Sequence, residues 1–265
     1  VLETDVEQRQ VTEEQSLEKM GVTWRAMLES VTDYQGTERS RSGLAGGDGE
    51  KMRRYIESGS GLCGAYLREV VATALSVGES NACMRKIVAA PTAGACGVLP
   101  AVLVPLYRAG MVSEEQILQA LYTASGIGAV IGYRACIAGA AGGCQAEIGT
   151  ASAMAAGALA SVQGGTAGQI GHAVAMALKN LMGLVCDPVA GLVEVPCVKR
   201  NVVGAVNAVS CADMALAGIE SRIPVDEVID CMGEVGRRIP VELRETALGG
   251  LAATPTGKAV KERMN

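Results

Sequence analysis

The chain has 265 residues, of which 49% are hydrophobic, and a formal net charge of −5. It can bury a large core, which excludes a disordered chain, and it has no basic stripe, which excludes nucleic acid as a partner. Phe is absent, Trp occurs once and Gly 34 times. Small side chains let helices approach closely, whereas a sandwich would draw on aromatic and β-branched residues. The composition therefore predicts an all-α fold: one large helical domain rich in Ala and Gly, preceded by an N-terminal helical arm over residues 1–40.

The first residues, VLETDVEQRQ, lack the basic and apolar regions of a secretory leader. The leading Val fits a fragment or a processed chain. Nine cysteines, an odd count in a chain of this length, argue against a disulfide framework. A cytoplasmic protein with free thiols, some of them metal ligands, is expected.

Glu3 to Glu18 is acidic and reads as a solvated helix or arm. Thr12 and Gln15 have capping-box spacing, and Leu17, Met20, Trp24, Met27 and Leu28 form one apolar face of a helix over residues 12–32. Tyr34 to Arg41 reads as loop. Ser42 to Gly49 carries four glycines in eight residues, which lets backbone N–H groups converge on a carboxylate or phosphate. It is not a P-loop, because no Lys-Ser or Lys-Thr follows. Helical pattern covers residues 50–78 with a break at Gly59 to Gly61. The stretch APTAGACGVLP (90–100) is a second small-residue loop entering a helix, where Thr92 could hold an oxyanion.

Ser113 with Gln116 opens a helix to Ile131. Gly139 to Glu147 is a third glycine-rich loop. A helix from about Glu147 to Val162 would place Cys144 before its N-terminus, where the dipole favours thiolate. Thr166 with Gln169 opens a helix to Asn180. Ile148 to Leu178 has no charged residue, but its Ala, Gly, Ser and Thr fit two buried helices better than a membrane span. Asn201 to Gly218 and Asp226 to Gly236 are helical in pattern. Gly249 to Gly257 is a last small-residue loop before a charged tail.

The stretch KNLMGLVCDPVAGLVEVPCVKRN (179–201) organises the chain. Pro188, Gly191 and Pro196 hold Cys186 and Cys197 on irregular, rigid backbone. With Cys144 they make three thiols in loops that abut helices. Cys63, Cys83, Cys136, Cys211 and Cys231 fall in or near helical pattern and read as core; Cys96 fits either group. Three thiolates without a neighbouring histidine suit an iron–sulfur cluster or zinc.

At these residues the chain resembles the alpha chain, or catalytic domain, of iron–sulfur L-serine dehydratases. The matching strings are APTAGACGVLP (90–100), IAGAAGGCQAEIGTASAMAA (137–156), the 179–201 stretch, ADMALAGIESRIPVDEVID (212–230) and ETALGGLAATPTG (245–257). The likeness runs from about residue 40 to the end, so residues 41–265 are read as the catalytic domain. The resemblance implies a [4Fe–4S] cluster with one open iron, held by Cys144, Cys186 and Cys197. It implies elimination of water from L-serine to give pyruvate and ammonia, without pyridoxal phosphate. It also implies a regulatory β chain, a higher oligomer and no membrane partner. Ser42, Gly46, Asp48, Thr92 and Gly94 are the expected substrate-binding residues, and Lys199 the candidate base. Glu147 and Asp187 are expected to orient ligands. The lone His172 is expected to be packed or at the surface. The family loop SGLTGGD is here SGLAGGD, so Ala45 replaces a threonine and puts the preference for serine over cysteine or threonine in question. A helical scaffold or membrane protein with inert thiols is the non-enzymatic alternative.

Overall fold

The computed structural model describes residues 1–264. Three capping boxes open helices where the spacing predicts them. Thr12, Ser113 and Thr166 each accept from the backbone three residues on and receive the reciprocal glutamine. They start α2 (Glu13–Thr32), α6 (Glu114–Arg134) and α9 (Ala167–Leu181), after a short acidic α1 (Leu2–Arg9) that buries none of its residues. Between α2 and α6 lie α3 (Asp48–Glu57), α4 (Ala65–Ala82) and α5 (Val98–Arg108). The Gly139 region holds α7, a single turn (Gly139–Gly142), then a π-helical turn (Gln145–Gly149) that leads into α8 (Thr150–Val162). The chain ends in α10 (Cys197–Leu216), α11 (Val225–Arg238) and α12 (Pro255–Met264). No β-strand occurs among the described residues, so the expected all-α fold is borne out.

Three local expectations are corrected. The third glycine-rich segment is largely helical, since backbone N–H groups of residues 141–143 bond back onto Ala138 and Gly139. Cys197 is the first residue of α10, because that helix starts at Pro196 and not at Asn201. The charged tail forms α12, in which the Thr254 hydroxyl accepts from Gly257 N–H in the first turn.

Helix α8 is the axis of the packing. Every residue from Thr150 to Ala160 is buried, against α5, α6, α9 and α10. Such closeness needs small residues: a Cβ on Gly157 would lie 2.2 Å from Ile127 Cδ1 on α6. Trp24, Met27 and Val31 of α2 enter the same core, with the Trp24 ring edge-on to Tyr107 at 5.4 Å between centroids. No described helix is long and apolar enough to cross a membrane.

The predicted anion nest at Ser42 to Gly49 exists, and it holds a carboxylate of the chain itself. Glu79, only 1% exposed on α4, accepts from the N–H groups of Gly46 (3.2 Å), Asp48 (2.8 Å) and Gly49 (3.1 Å) and from the Tyr34 hydroxyl (2.5 Å). The start of α3 thus supplies both orphan donors and a positive dipole end to a buried anion. Glu79→Ala should cost about 3 kcal/mol or more in folding free energy, because several donors lose their partner at once. Glu79→Gln should cost less, since the amide oxygen still accepts. Denaturant unfolding of the three proteins measures both.

Candidate metal and active site

Two elements deliver the first part of the site. The π-helical turn after Cys144 places Glu147 three residues on, back over the cysteine; such wide turns are frequent at functional sites. The loop from Met182 to Pro196 brings in Cys186, which lies beside Cys144 with its thiol hydrogen-bonded to the Cys144 sulfur. The ligand atoms of Cys144, Glu147 and Cys186 all lie within 4.8 Å of one another. Cys197 adjoins them at the start of α10, close enough for the Cys144 charge to act on it. All three thiols are buried.

The thiols are not equivalent. The hydrogen bond from Cys186 and the nearby Arg200 guanidinium hold Cys144 below the ordinary thiol range. The same hydrogen bond, with burial, pushes Cys186 up. Burial and the neighbouring Cys144 and Glu147 push Cys197 up to about 12. Burial raises the Glu147 carboxyl as well, against the Thr92 hydroxyl that donates to it. Three cysteine sulfurs and one glutamate side chain therefore share this region with one cation.

That cation is Arg200. It stands three residues after Cys197, on the same face of α10. It donates to Val185 O at 2.8 Å and to Asp187 Oδ1 at 2.9 Å, with side-chain exposures of 14% for Arg200 and 5% for Asp187. Asp187 Oδ2 in turn accepts from Leu251 N–H at 2.8 Å. The C-terminal segment is also pinned at Cys186: Cys186 N–H donates to Leu243 O at 2.8 Å and Glu245 N–H to Cys186 O at 2.7 Å.

The Thr92 loop is fastened to α10 by Asn201, 1% exposed. Its amide nitrogen donates to Gly94 O (2.8 Å) and Cys197 O (3.0 Å), and its oxygen accepts from Gly97 N–H (2.8 Å). A Cβ on Gly94 would lie 2.7 Å from Glu147 Oε1. A Cβ on Gly139 would lie 3.0 Å from Cys186 Sγ and 3.4 Å from both Glu147 Oε2 and Glu245 Oε2. Two side-chain-free positions thus border the thiol–carboxylate group.

Thr92, Gly94, Cys144 and Cys186 come together around Glu147, whereas Cys197 lies outside the group of mutually close ligand atoms that Cys144, Glu147 and Cys186 form. Ser42 reaches the site's second loop: with Ser40 (2.7 Å) it donates to Glu194, a buried carboxylate between Cys186 and Cys197. Gly46 and Asp48 give their N–H groups to Glu79. Lys199 lies two residues after Cys197 and so on another face of α10; it is 56% exposed and pairs with Asp48 at 2.5 Å. His172 accepts from Ser221 N–H at 3.2 Å, a packed role. Ala45 is 4% exposed and packs with Leu75 and Val198, so its methyl group faces a small apolar cluster. Asp187 orients Arg200, and Glu147 joins the donor group itself.

The sequence profile of the family described as "Serine dehydratase alpha chain" matches residues 1–252. This chain belongs to the serine dehydratase alpha chain family. It is 50% identical over 237 residues to the "Probable L-serine dehydratase, alpha chain" of Bacillus subtilis (strain 168), covering 89% of this chain and 77% of that protein. It is 44% identical over 262 residues to the "L-serine dehydratase, alpha chain" of Peptoniphilus asaccharolyticus, covering 98% and 90%. With "L-serine dehydratase 2" of Escherichia coli (strain K12) it shares 44% identity over 181 residues, 68% of this chain and 40% of that protein. The family match includes the first 40 residues, which the matching strings alone did not reach.

Sequence reasoning passed over Arg200, Asn201 and Glu245 as site residues of this family member. Arg200 and Asn201 carried a usable signal, being three and four positions after Cys197 on one helix face. Glu245 carried none, because its approach depends on how residues 243–251 fold back. Cys63 and Cys231, expected in the core, are exposed. Cys96 is a core thiol, pushed up to about 12 by burial.

Asp187→Ala should leave Arg200 unpaired and cost about 3–5 kcal/mol of stability, read from denaturant unfolding. In metal-free protein at pH 8, iodoacetamide should label Cys63 and Cys231 before Cys96 and Cys211; mass spectrometry of timed digests checks the order.

Proposed function

We propose that this chain is the catalytic alpha chain of an L-serine dehydratase, eliminating water from L-serine to yield pyruvate and ammonia. The convergence of Cys144, Cys186 and Glu147 at one buried point carries the reading, in a chain of the serine dehydratase alpha chain family. In this reading Cys144, Cys186 and Cys197 hold a [4Fe–4S] cluster. When bound, the cluster supplies an iron without a protein sulfur, a Lewis acid that eases loss of hydroxide. The donor set fits such a group: three buried thiols suit soft iron, and Arg200 offsets the charge of their ionised forms.

The protein's own groups do the rest. Thr92 holds the Glu147 carboxylate in place, and the absence of side chains at Gly94 and Gly139 lets the backbone come close to it, where a Cβ would crowd its oxygens. Glu147 is the carboxylate best placed to take the α proton. Lys199, ion-paired on another face of α10, serves instead to tie α10 to α3. Ser42 acts on substrate through Glu194, which ties its loop to the cysteine segment, and Gly46 and Asp48 through Glu79, which ties the same loop to α4. After water leaves, the aminoacrylate product becomes an imine and hydrolyses. The packing of Ala45 supports serine as the preferred substrate, since the lost hydroxyl of the family pattern would lie in an apolar cluster.

A separate β chain and a higher oligomer belong to this reading, supported by the "alpha chain" in the relatives' names. So do cytoplasmic location and the absence of membrane and nucleic-acid partners.

Anaerobic purification with the partner chain should yield about four irons and four sulfides per alpha chain and a broad visible band, both lost in Cys186→Ser. Pyruvate release should be faster from L-serine than 2-oxo acid release from L-threonine or L-cysteine. Thr92→Ala should lower kcat/KM by about a hundredfold or more, because it frees the Glu147 carboxylate. A colourless protein after anaerobic reconstitution would overturn the reading.

A further inference from the structure

Glu245, an exposed residue, presents its carboxylate at the edge of this site with no protein partner among the described residues. Its backbone is over-determined: the N–H is bonded to Cys186 O at 2.7 Å, and the preceding Leu243 carbonyl is bonded by Cys186 N–H. Within that clamp Glu245 adopts a φ of 64°, the left-handed region. A side-chain-bearing residue held there is strained, and such positions cluster where function needs a fixed geometry. Ala247 follows with a φ of 55°, so the whole segment is turned tightly onto the cysteine loop.

The direction of the side chain is informative. Glu245 Oε2, Glu147 Oε2 and Cys186 Sγ lie around one point beside Gly139, each 3.0–3.4 Å from where its side chain would begin. Glu147 has the Thr92 hydroxyl as partner, and Arg200 is engaged by Asp187, Val185 and Cys144. Glu245 accepts no hydrogen bond and meets no cation within 4.0 Å among the described residues. Water screens the exposed Glu245 carboxylate, and no cation of the described residues sits between it and Glu147. The Arg244 guanidinium does not, since its one hydrogen bond is to Ala141 O at 3.5 Å.

We propose that Glu245 is a substrate-binding residue that receives the α-ammonium group of the amino-acid substrate, beside Gly139 and opposite Glu147. This rests on the dehydratase reading and extends it to substrate class. The site then selects 2-amino acids over the corresponding des-amino acids through one charge-assisted hydrogen bond. The ammonium stands between the two glutamates, and the bound amino acid lies with its Cα beside Glu147.

The test uses anaerobically purified enzyme with its partner chain, as wild type, Glu245→Gln and Glu245→Asp. Glu245→Gln should raise KM for L-serine about tenfold or more while kcat changes less, the loss of one charged contact. Glu245→Asp should recover part of that loss. Iron content and the visible spectrum should not change in either variant. Competitive inhibition by 3-hydroxypropanoate, which is serine without its ammonium, should be unchanged or tighter in Glu245→Gln. A KM within about twofold of wild type in Glu245→Gln overturns the inference. So does an equal weakening of L-serine and 3-hydroxypropanoate, or loss of iron from the variant, which would mark a structural role. A wild-type enzyme that holds iron but makes no pyruvate from L-serine overturns the dehydratase reading, and this inference with it.

Discussion

The pair between Asp187 and Arg200 is the contact on which the site depends. Arg200 belongs to α10, and Asp187 to the loop that carries Cys186. Through Val185 O and Leu251 N–H the same pair also holds the backbone before Cys186 and the C-terminal segment. A Cβ on Gly250 would lie 2.4 Å from Asp187 Oδ2, so the chain is packed tightly around this carboxylate. An isolated buried pair contributes little net stability. Here each charge has further hydrogen bonds, and the guanidinium also balances Cys144. The pair therefore fixes three segments in one arrangement and makes a group of thiols tolerable in one buried place.

A common device runs through the rest of the molecule. Loops of glycine, proline and small residues leave backbone donors without helical partners, and buried carboxylates satisfy them. Glu79 serves the Gly46 to Gly49 turn, Glu194 serves the Ser40 and Ser42 hydroxyls, and Asp187 serves Leu251. Asn201 does the same for the Thr92 to Gly97 loop with an amide. Each anchor lies on or beside α4, the cysteine loop or α10; α10 packs on the central α8, and α4 packs on α10. Small side chains along α8 allow the close approach, and the polar anchors then set the loops at a common end of the bundle. Gly139 and Gly94 let the backbone pack close to Cys186 and Glu147 at that end, where a side chain would crowd them.

Much of this was legible in the sequence. The three capping boxes mark helix starts because their hydrogen bonds are local, made within four residues. The lack of Phe and the wealth of Ala and Gly point to close-packed helices for a physical reason that holds in the structure. Cys144, Cys186 and Cys197 stood out by their breaker residues, and the π turn and Pro196 do place Cys144 and Cys197 at helix starts. The glycine-rich segments were harder. At Ser42 to Gly49 the convergence of N–H groups was legible, but the identity of the anion was not, since Glu79 is supplied from another helix. At Gly139 the same composition gave a helical turn, because glycine tolerates a helix whose carbonyls are paired.

By itself, then, the sequence determined the helices, their caps, the small-residue core and the cysteines on which a metal site would be built, all of them matters of local bonding, composition and residue chemistry. Only the tertiary structure decided which charges face the cysteines. Lys199 and Arg200 are adjacent in sequence, yet the 100° step between helix residues sends one to Asp48 at the surface and the other to Asp187 and Cys144. Glu245 reaches Gly139 only because two backbone hydrogen bonds fold the distant C-terminal segment onto Cys186. Contacts between segments so far apart follow from how the helices pack, and no spacing along the chain encodes them.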